Sequence, residues 1–168
     1  IELEKEATSA IPAIIDNDGW KGGKNTYRLL NISTLAEVEK TLSSVTFIRV
    51  SYPELNDNAR SVQKENKDIV ILLSTDHING LGEQRAFIHT LMNNDCLTPV
   101  ILNRQYTENE PEDLQIKAAA DLGALYLDCF GNGIMLQNEG NISHKDIDAY
   151  MVGILQASRV RTSKTEYI

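Results

Sequence analysis

The sequence predicts an α/β fold: a mostly parallel sheet of about five strands with flanking helices, either open or closed only as far as an incomplete TIM-barrel-like sheet. Two observations support this. Short apolar runs alternate with segments whose apolar residues recur at helical spacing, the pattern of right-handed βαβ units. One run, Ile69–Leu73, is apolar at every position, as expected for a strand buried on both faces. About five strands are fewer than the eight of a closed barrel.

Five short apolar runs are the predicted strands, and they lie at residues 29–32, 47–50, 69–73, 100–102 and 124–127. Tyr52-Pro53 stops the second run, because proline lacks the N–H that a strand within a sheet must donate. The fifth run belongs to the stretch 121–136, where Asp128 and a glycine-punctuated turn follow it. The sequence therefore predicts that a buried strand delivers the chain here to the end of the sheet, where α/β proteins place their chemistry.

Helices are predicted between these runs from caps and apolar stripes. Thr34 and Glu37 form a capping box before a short amphipathic helix, and residues 54–65 form a weaker helical segment. Two further helices have clear apolar faces, one ending near Asn93-Asn94 and one opening at Pro111 with acids in its first turn. Gly123 is expected to end the latter as a left-handed cap. The strongest helical signal follows Ser143, with apolar positions at Ile147, Tyr150, Met151, Ile154 and Leu155.

Composition and net charge limit the classes of function that the chain can have. The 168 residues suit one domain, and the formal net charge of −8 makes a nucleic acid or an anionic membrane an unsuitable main partner. No apolar run reaches the length of a membrane span, and the first residues do not form a signal peptide. The two cysteines, Cys96 and Cys129, form no disulfide framework, so a reducing cytoplasm is expected. The chain lacks an initiator Met, which suggests a fragment or a processed chain.

Candidate chemical groups are few. Asp76-His77 follows a buried strand and could supply a general base, but a plain loop pair is the favoured interpretation because spacing places no nucleophile nearby. The Gly131-Asn132-Gly133 turn could bind an anion through backbone N–H groups, but the favoured interpretation is a tight turn whose glycines need positive φ. His89 is expected on the flank of a helix, and His144 is expected to be exposed in the first turn after a cap. The scattered histidines and cysteines form no metal signature, and the sequence predicts no catalytic, cofactor or metal ligand.

Two segments carry a specific resemblance. Residues 122–136, Leu-Gly-Ala-Leu-Tyr-Leu-Asp-Cys-Phe-Gly-Asn-Gly-Ile-Met-Leu, resemble the pattern Gly-Ala-Leu-Leu-x-Asp-Gly-Leu/Phe-Gly-Asp-Gly. Residues 155–168 resemble the stretch that precedes a Cys-x-x-Cys-Gly-Arg motif. Both patterns belong to 4-hydroxy-3-methylbut-2-enyl diphosphate synthase in its large three-domain form, and looser similarity extends back to about Tyr27. The chain departs from the pattern at Cys129, where Gly is usual, and at Asn132, where Asp is usual.

The resemblance implies a place within a larger enzyme. Members of the family reductively open 2-C-methyl-D-erythritol 2,4-cyclodiphosphate in the non-mevalonate isoprenoid pathway, using a 4Fe–4S cluster and a ferredoxin or flavodoxin electron donor. This chain resembles the central inserted domain. Residues 1–26 are then an N-terminal lead and flexible loop, 27–157 the α/β insert, and 158–168 a basic tail (Arg159, Arg161, Lys164) leading toward the iron–sulfur domain. Cys96 and Cys129 match none of the cluster ligands, so no cofactor is expected in this chain.

Three hypotheses follow from these expectations. The first is a non-catalytic spacer that sets the iron–sulfur domain against the substrate barrel of the same polypeptide. The alternative is a docking module for a ligand or an electron donor, formed by the 128–133 turn with Asp76-His77 nearby. An independent enzyme is disfavoured, because spacing assembles no nucleophile, base and acid.

Overall fold

A computed structural model describes residues 13–16, 18–19, 21–22, 25–34, 45–55 and 68–160. Six strands form one sheet in the order β1-β2-β3-β4-β5-β6, and every neighbouring pair is parallel. Because each strand is added beside its predecessor, the chain winds in one direction and the sheet curls into a half-barrel. The strands are β1 Ala13–Asp16, β2 Thr26–Asn31, β3 Thr46–Val50, β4 Ile69–Leu73, β5 Val100–Tyr106 and β6 Gly133–Asn138.

The described helices lie between the later strands and after the last one. They are α1 Gly80–Asn93, α2 Pro111–Ala118, a π-helical turn Ala119–Gly123, α3 Ala124–Leu127 and α4 His144–Ala157, with short 3₁₀ turns at Ile32–Thr34 and Tyr52–Glu54. The caps agree with the sequence: Asn94 ends α1, Pro111 opens α2 with Glu112 and Asp113 in its first turn, and Ser143 caps α4 by accepting from the Asp146 N–H at 3.2 Å. The helices predicted from Thr34 and within 54–65 fall largely outside the described residues.

The α/β prediction of a half-closed parallel sheet is confirmed, whereas the predicted strand at 124–127 is wrong. Those residues continue the helix that begins at Pro111, and the last strand is β6 instead. Gly123 does not end the helix, since its φ of −58° and ψ of −40° are ordinary right-handed helical angles. The buried stripe explains the continuation: Leu122, Leu125 and Tyr126 extend the face begun by earlier residues of the helix, so packing carries it past the glycine.

A further strand, β1, lies within the segment that the sequence suggested to be a lead, and it pairs with β2 from Ala13↔Thr26 to Asp16↔Leu29. The core has two sides. The larger cluster fills the space between the helices and the convex face of the sheet, and a smaller one occupies the opposite face around Ile14, Leu29, Leu72 and Met135. Strand β4 contributes to both, because Ile71, Leu72 and Leu73 are all fully buried.

Candidate functional site

Asp76 and His77 follow the carboxyl end of β4, where parallel sheets commonly place functional groups. Both side chains are exposed. The His77 Nδ1 accepts a hydrogen bond from the Asn79 backbone N–H at 3.0 Å, and the His77 N–H donates to Thr75 Oγ1 at 3.1 Å. Asn79 in turn caps α1 by accepting from the Gly82 N–H at 3.1 Å. The imidazole thus shapes the entry to α1, which agrees with the loop-pair interpretation.

A buried glutamine ties two strands together at the same edge. Gln84 is fully buried, and its Nε2 donates to the carbonyl oxygens of Leu73 at 3.0 Å and Asn103 at 3.1 Å. The Asn103 Nδ2 then donates to Ser74 Oγ at 2.9 Å. One amide group of α1 thus bonds the last residue of β4 and a central residue of β5. Gln84 was not among the residues predicted from the sequence, although a polar residue at helical spacing before Phe87 and Ile88 is a usable signal.

A charged network links strand β5 to the π-helical turn. Arg104 Nη2 and Asp121 Oδ2 are 2.6 Å apart, and the Tyr106 hydroxyl donates to the same carboxylate oxygen at 2.7 Å. Burial acts to lower the pKa of Arg104, but its hydrogen bond with Tyr106 and the Asp121 charge together raise it. Burial and the hydrogen bond to Asp121 raise the pKa of Tyr106. The Asp121 carboxylate thus accepts from both the guanidinium and the phenol, while the buried Arg104 Nε has no hydrogen-bond partner.

The 128–133 turn is a helix end followed by a strand start. The Phe130 N–H donates to the Leu125 carbonyl at 2.9 Å and the Cys129 N–H to the Tyr126 carbonyl at 3.0 Å. These two bonds are the Schellman pattern, which requires a left-handed residue at the position of Cys129. Its φ is +62°, so the usual Gly of the family pattern has a conformational reason at this position.

Two more residues of the turn fix the start of β6. Gly131 has a φ of +85°, and a Cβ there would lie 3.0 Å from Leu102 Cγ, so the predicted glycine turn is confirmed at this position. Asn132 bonds β5 twice: its N–H donates to the Val100 carbonyl at 2.6 Å, and its Oδ1 accepts from the Val100 N–H at 2.9 Å. The side chain therefore substitutes for a missing strand neighbour at the edge of the ladder.

The structure does not bring the two parts of the proposed docking site together. The 128–133 turn precedes the amino end of β6, whereas Asp76 and His77 follow the carboxyl end of β4. Since the strands are parallel, the sheet separates them. The expectation of a carboxyl-end turn was wrong because it depended on the strand at 124–127. Asp128 instead forms an ion pair with Arg85 of α1, and both side chains are substantially exposed.

The cysteines and histidines do not fit an iron–sulfur cluster. Cys96 is buried with its Sγ 3.3 Å from Thr98 Oγ1, and Cys129 is exposed on the turn. His89 packs edge-on against Phe130 with ring centroids 5.2 Å apart, and His144 opens α4. Across the described ranges, no three His, Cys, Asp or Glu side chains are grouped so that they could hold a metal ion. None of the helices described is long and apolar enough to cross a membrane.

Comparison with known proteins gives a consistent result. The chain is 44% identical over 172 residues to the 4-hydroxy-3-methylbut-2-en-1-yl diphosphate synthase (flavodoxin) of Parabacteroides distasonis, covering 100% of the chain and 28% of that protein. The synthases of Phocaeicola vulgatus and Bacteroides thetaiotaomicron are 43% and 39% identical, over 94% and 99% of the chain. No family model and no solved structure matches.

The relatives are several times longer than the chain, which spans only 26% and 27% of the Phocaeicola and Bacteroides proteins. The similarity nevertheless runs through nearly all of this chain, including the turn whose residues suggested the resemblance. By sequence, the chain belongs to the 4-hydroxy-3-methylbut-2-en-1-yl diphosphate synthase family, as a segment spanning about a quarter of its members.

Proposed function

We propose that the chain is the non-catalytic inserted domain of such a synthase, a spacer that positions the substrate barrel and the iron–sulfur domain of one polypeptide. The observation that carries this proposal is the coverage: nearly the whole chain matches about a quarter of the synthases. The parent enzyme would then open 2-C-methyl-D-erythritol 2,4-cyclodiphosphate reductively with a 4Fe–4S cluster held by its other domains. The word "flavodoxin" in the relatives' names favours an electron-donor partner for that parent enzyme.

The polar groups of the fold support a structural role. Arg104 and Tyr106 both donate to Asp121 of the π-helical turn, and Gln84 joins two neighbouring strands. Asn132 uses its side chain to complete the ladder at the other edge of the sheet. A catalytic acid or base needs access to a substrate proton. These side chains are instead used to fix helix against sheet, as a rigid spacer requires.

Two experiments test the proposal. Isothermal titration calorimetry of the 168-residue chain with the cyclic diphosphate is expected to give no binding heat, and a dissociation constant at or below about 10 μM would contradict the spacer role. In the full-length polypeptide, replacing this segment by a flexible Gly/Ser linker is expected to lower turnover at least about tenfold, because the two reacting domains lose their fixed geometry. Cluster content should stay constant as the control. Unchanged turnover would mean that the segment positions nothing.

A further inference from the structure

An apolar groove of about 390 Å³ runs along the outer side of the α2–α3 helix. Its other wall is the carboxyl-terminal end of α4. The floor includes the buried Ile154, and the walls are mostly small side chains. The lining residues are Ala119, Ala120, Gly123, Ala124, Leu127, Ile154, Ala157 and Ser158. No side chain in this lining is charged, so the groove fits an apolar occupant.

Large apolar side chains extend the groove onto the surface. Ile116 is 61% exposed and Leu127 is 71% exposed. Ile116 lies four residues before Ala120 and so on the same side of the helix, while Leu127 lines the groove itself. Val160, two residues beyond Ser158, is 44% exposed. Large exposed apolar side chains grouped around an apolar groove are typical of a contact surface rather than of scattered exposed residues.

The size of the relatives indicates what covers this surface. The chain spans only about a quarter of them, so most of a full-length synthase consists of other parts of the same polypeptide. Small walls let a neighbouring backbone approach closely, and the floor at Ile154 can receive a large aliphatic or aromatic side chain. We propose that this groove, with Ile116 and Leu127 on its rim, is the surface on which an apolar element of another domain of the same polypeptide docks. This inference rests on the proposed function.

Site-specific thiol labelling tests the docking surface. In a Cys129→Gly background, Ala120→Cys places a thiol in the groove and Gln115→Cys places one on another, exposed face of the same helix. Maleimide labelling rates are compared between the 168-residue chain and the full-length polypeptide. We expect the thiol at position 120 to react at least about tenfold more slowly in the full-length polypeptide, and the thiol at position 115 to react within about twofold in both. Equal rates at position 120 would overturn the inference.

Two further measurements separate the possible outcomes. Protection at position 120 that rises with concentration in the chain alone, with a dimer in sedimentation velocity, would assign the groove to a second copy and overturn the proposal. Small-angle scattering of the full-length polypeptide reports whether the domains are docked by any surface. A compact particle with free labelling at position 120 overturns the docking surface and leaves the spacer role intact. Protection at position 120 with turnover unaffected by the linker replacement supports the surface and contradicts the spacer.

A charge substitution gives an independent test. Ala120→Glu leaves the fold of the chain alone intact, because position 120 is exposed and glutamate is a good helix former. In the full-length polypeptide it places a charge in an apolar contact, so the expected result is a more extended particle. Gln115→Glu is the matched control and should change neither sample. If Ala120→Glu and Gln115→Glu give the same compact particle in the full-length polypeptide, the docking surface lies elsewhere.

Discussion

Replacing Cys129 with glycine should stabilise the fold. Cys129 is held at a φ of +62° by the two Schellman hydrogen bonds that end the α2–α3 helix. For an L-residue the left-handed conformation costs about 1–2 kcal/mol, and glycine avoids this cost because it has no Cβ. The side chain is exposed, so its removal sacrifices no core packing. The cost of Cys129 is therefore conformational and local.

The size of the effect follows from two opposing contributions. Glycine relieves the left-handed strain. It also has more conformational freedom in the unfolded chain, and this lowers the gain in stability by about 0.4–1 kcal/mol. The expected net stabilisation of Cys129→Gly is about 0.5–1 kcal/mol. For a chain of this length that corresponds to a rise of about 1–4 °C in the unfolding midpoint. Urea denaturation followed by circular dichroism, with thermal melts alongside, measures both quantities.

Cys129→Ala is the matched control. Alanine removes the thiol but keeps the Cβ and therefore the left-handed strain, so its unfolding free energy should stay within about 0.5 kcal/mol of the parent chain. If alanine stabilises as much as glycine, the thiol rather than the backbone was the source of the cost. If glycine gives no gain over alanine, the Schellman geometry does not govern the stability of this turn, and the reasoning is refuted.

Three other substitutions test the remaining contacts. Asn132→Asp should be tolerated because either side chain offers an oxygen to the Val100 N–H, whereas Asn132→Ala should cost about 1 kcal/mol in urea denaturation; equal losses would contradict the acceptor role. Asp121→Asn weakens charge-assisted bonds and should cost about 1–3 kcal/mol, less in high salt; a loss below about 0.5 kcal/mol would contradict this role of the carboxylate. Burial raises the pKa of Tyr126, so the phenol stays protonated in the folded chain while the unfolded chain loses its proton above about pH 10. Stability should then fall with rising pH by about 1.4 kcal/mol per unit for this tyrosine, and Tyr126→Phe should flatten that fall; an unchanged alkaline slope would exclude it.

Helices and strands that are marked by a cap, an apolar run or an apolar stripe within one short segment could be predicted from the sequence. Strand β4 is a bounded apolar run, and α4 has a cap and a long apolar stripe within one segment. The α2–α3 helix could be predicted only at its start. Its later course depends on the packing of Leu122, Leu125 and Tyr126 against the sheet, which local spacing does not contain. Four apolar residues after a glycine suit a buried strand and a buried helix equally.

The polar contacts of the candidate site were harder to predict from the sequence, because they too depend on tertiary packing. Gln84 carries a weak signal, as a polar residue in an apolar stripe. Arg104 and Asp121 carry almost none, because they lie in different elements and meet only when β5 continues past its predicted end and the π-helical turn shifts the register of the helix. Such pairs depend on tertiary geometry. The sequence shows that Arg104 is a cation and Asp121 an anion, but it does not show that the two form an ion pair.

The resemblance in the 122–136 stretch falls on the end of the α2–α3 helix, the turn that follows it and the start of β6. The turn requires a left-handed residue at position 129, which explains a usual glycine, and this chain meets the requirement with a strained cysteine. Position 132 requires only an acceptor for the Val100 N–H, and the neutral Asn132 supplies it where the pattern has a carboxylate. At this position the hydrogen bond is kept without the charge, so what matters is where the acceptor oxygen lies. The turn lies at the amino end of β6, away from the carboxyl ends of the strands where α/β barrels gather ligands, and its hydrogen bonds join the helix end to the start of β6 and to β5.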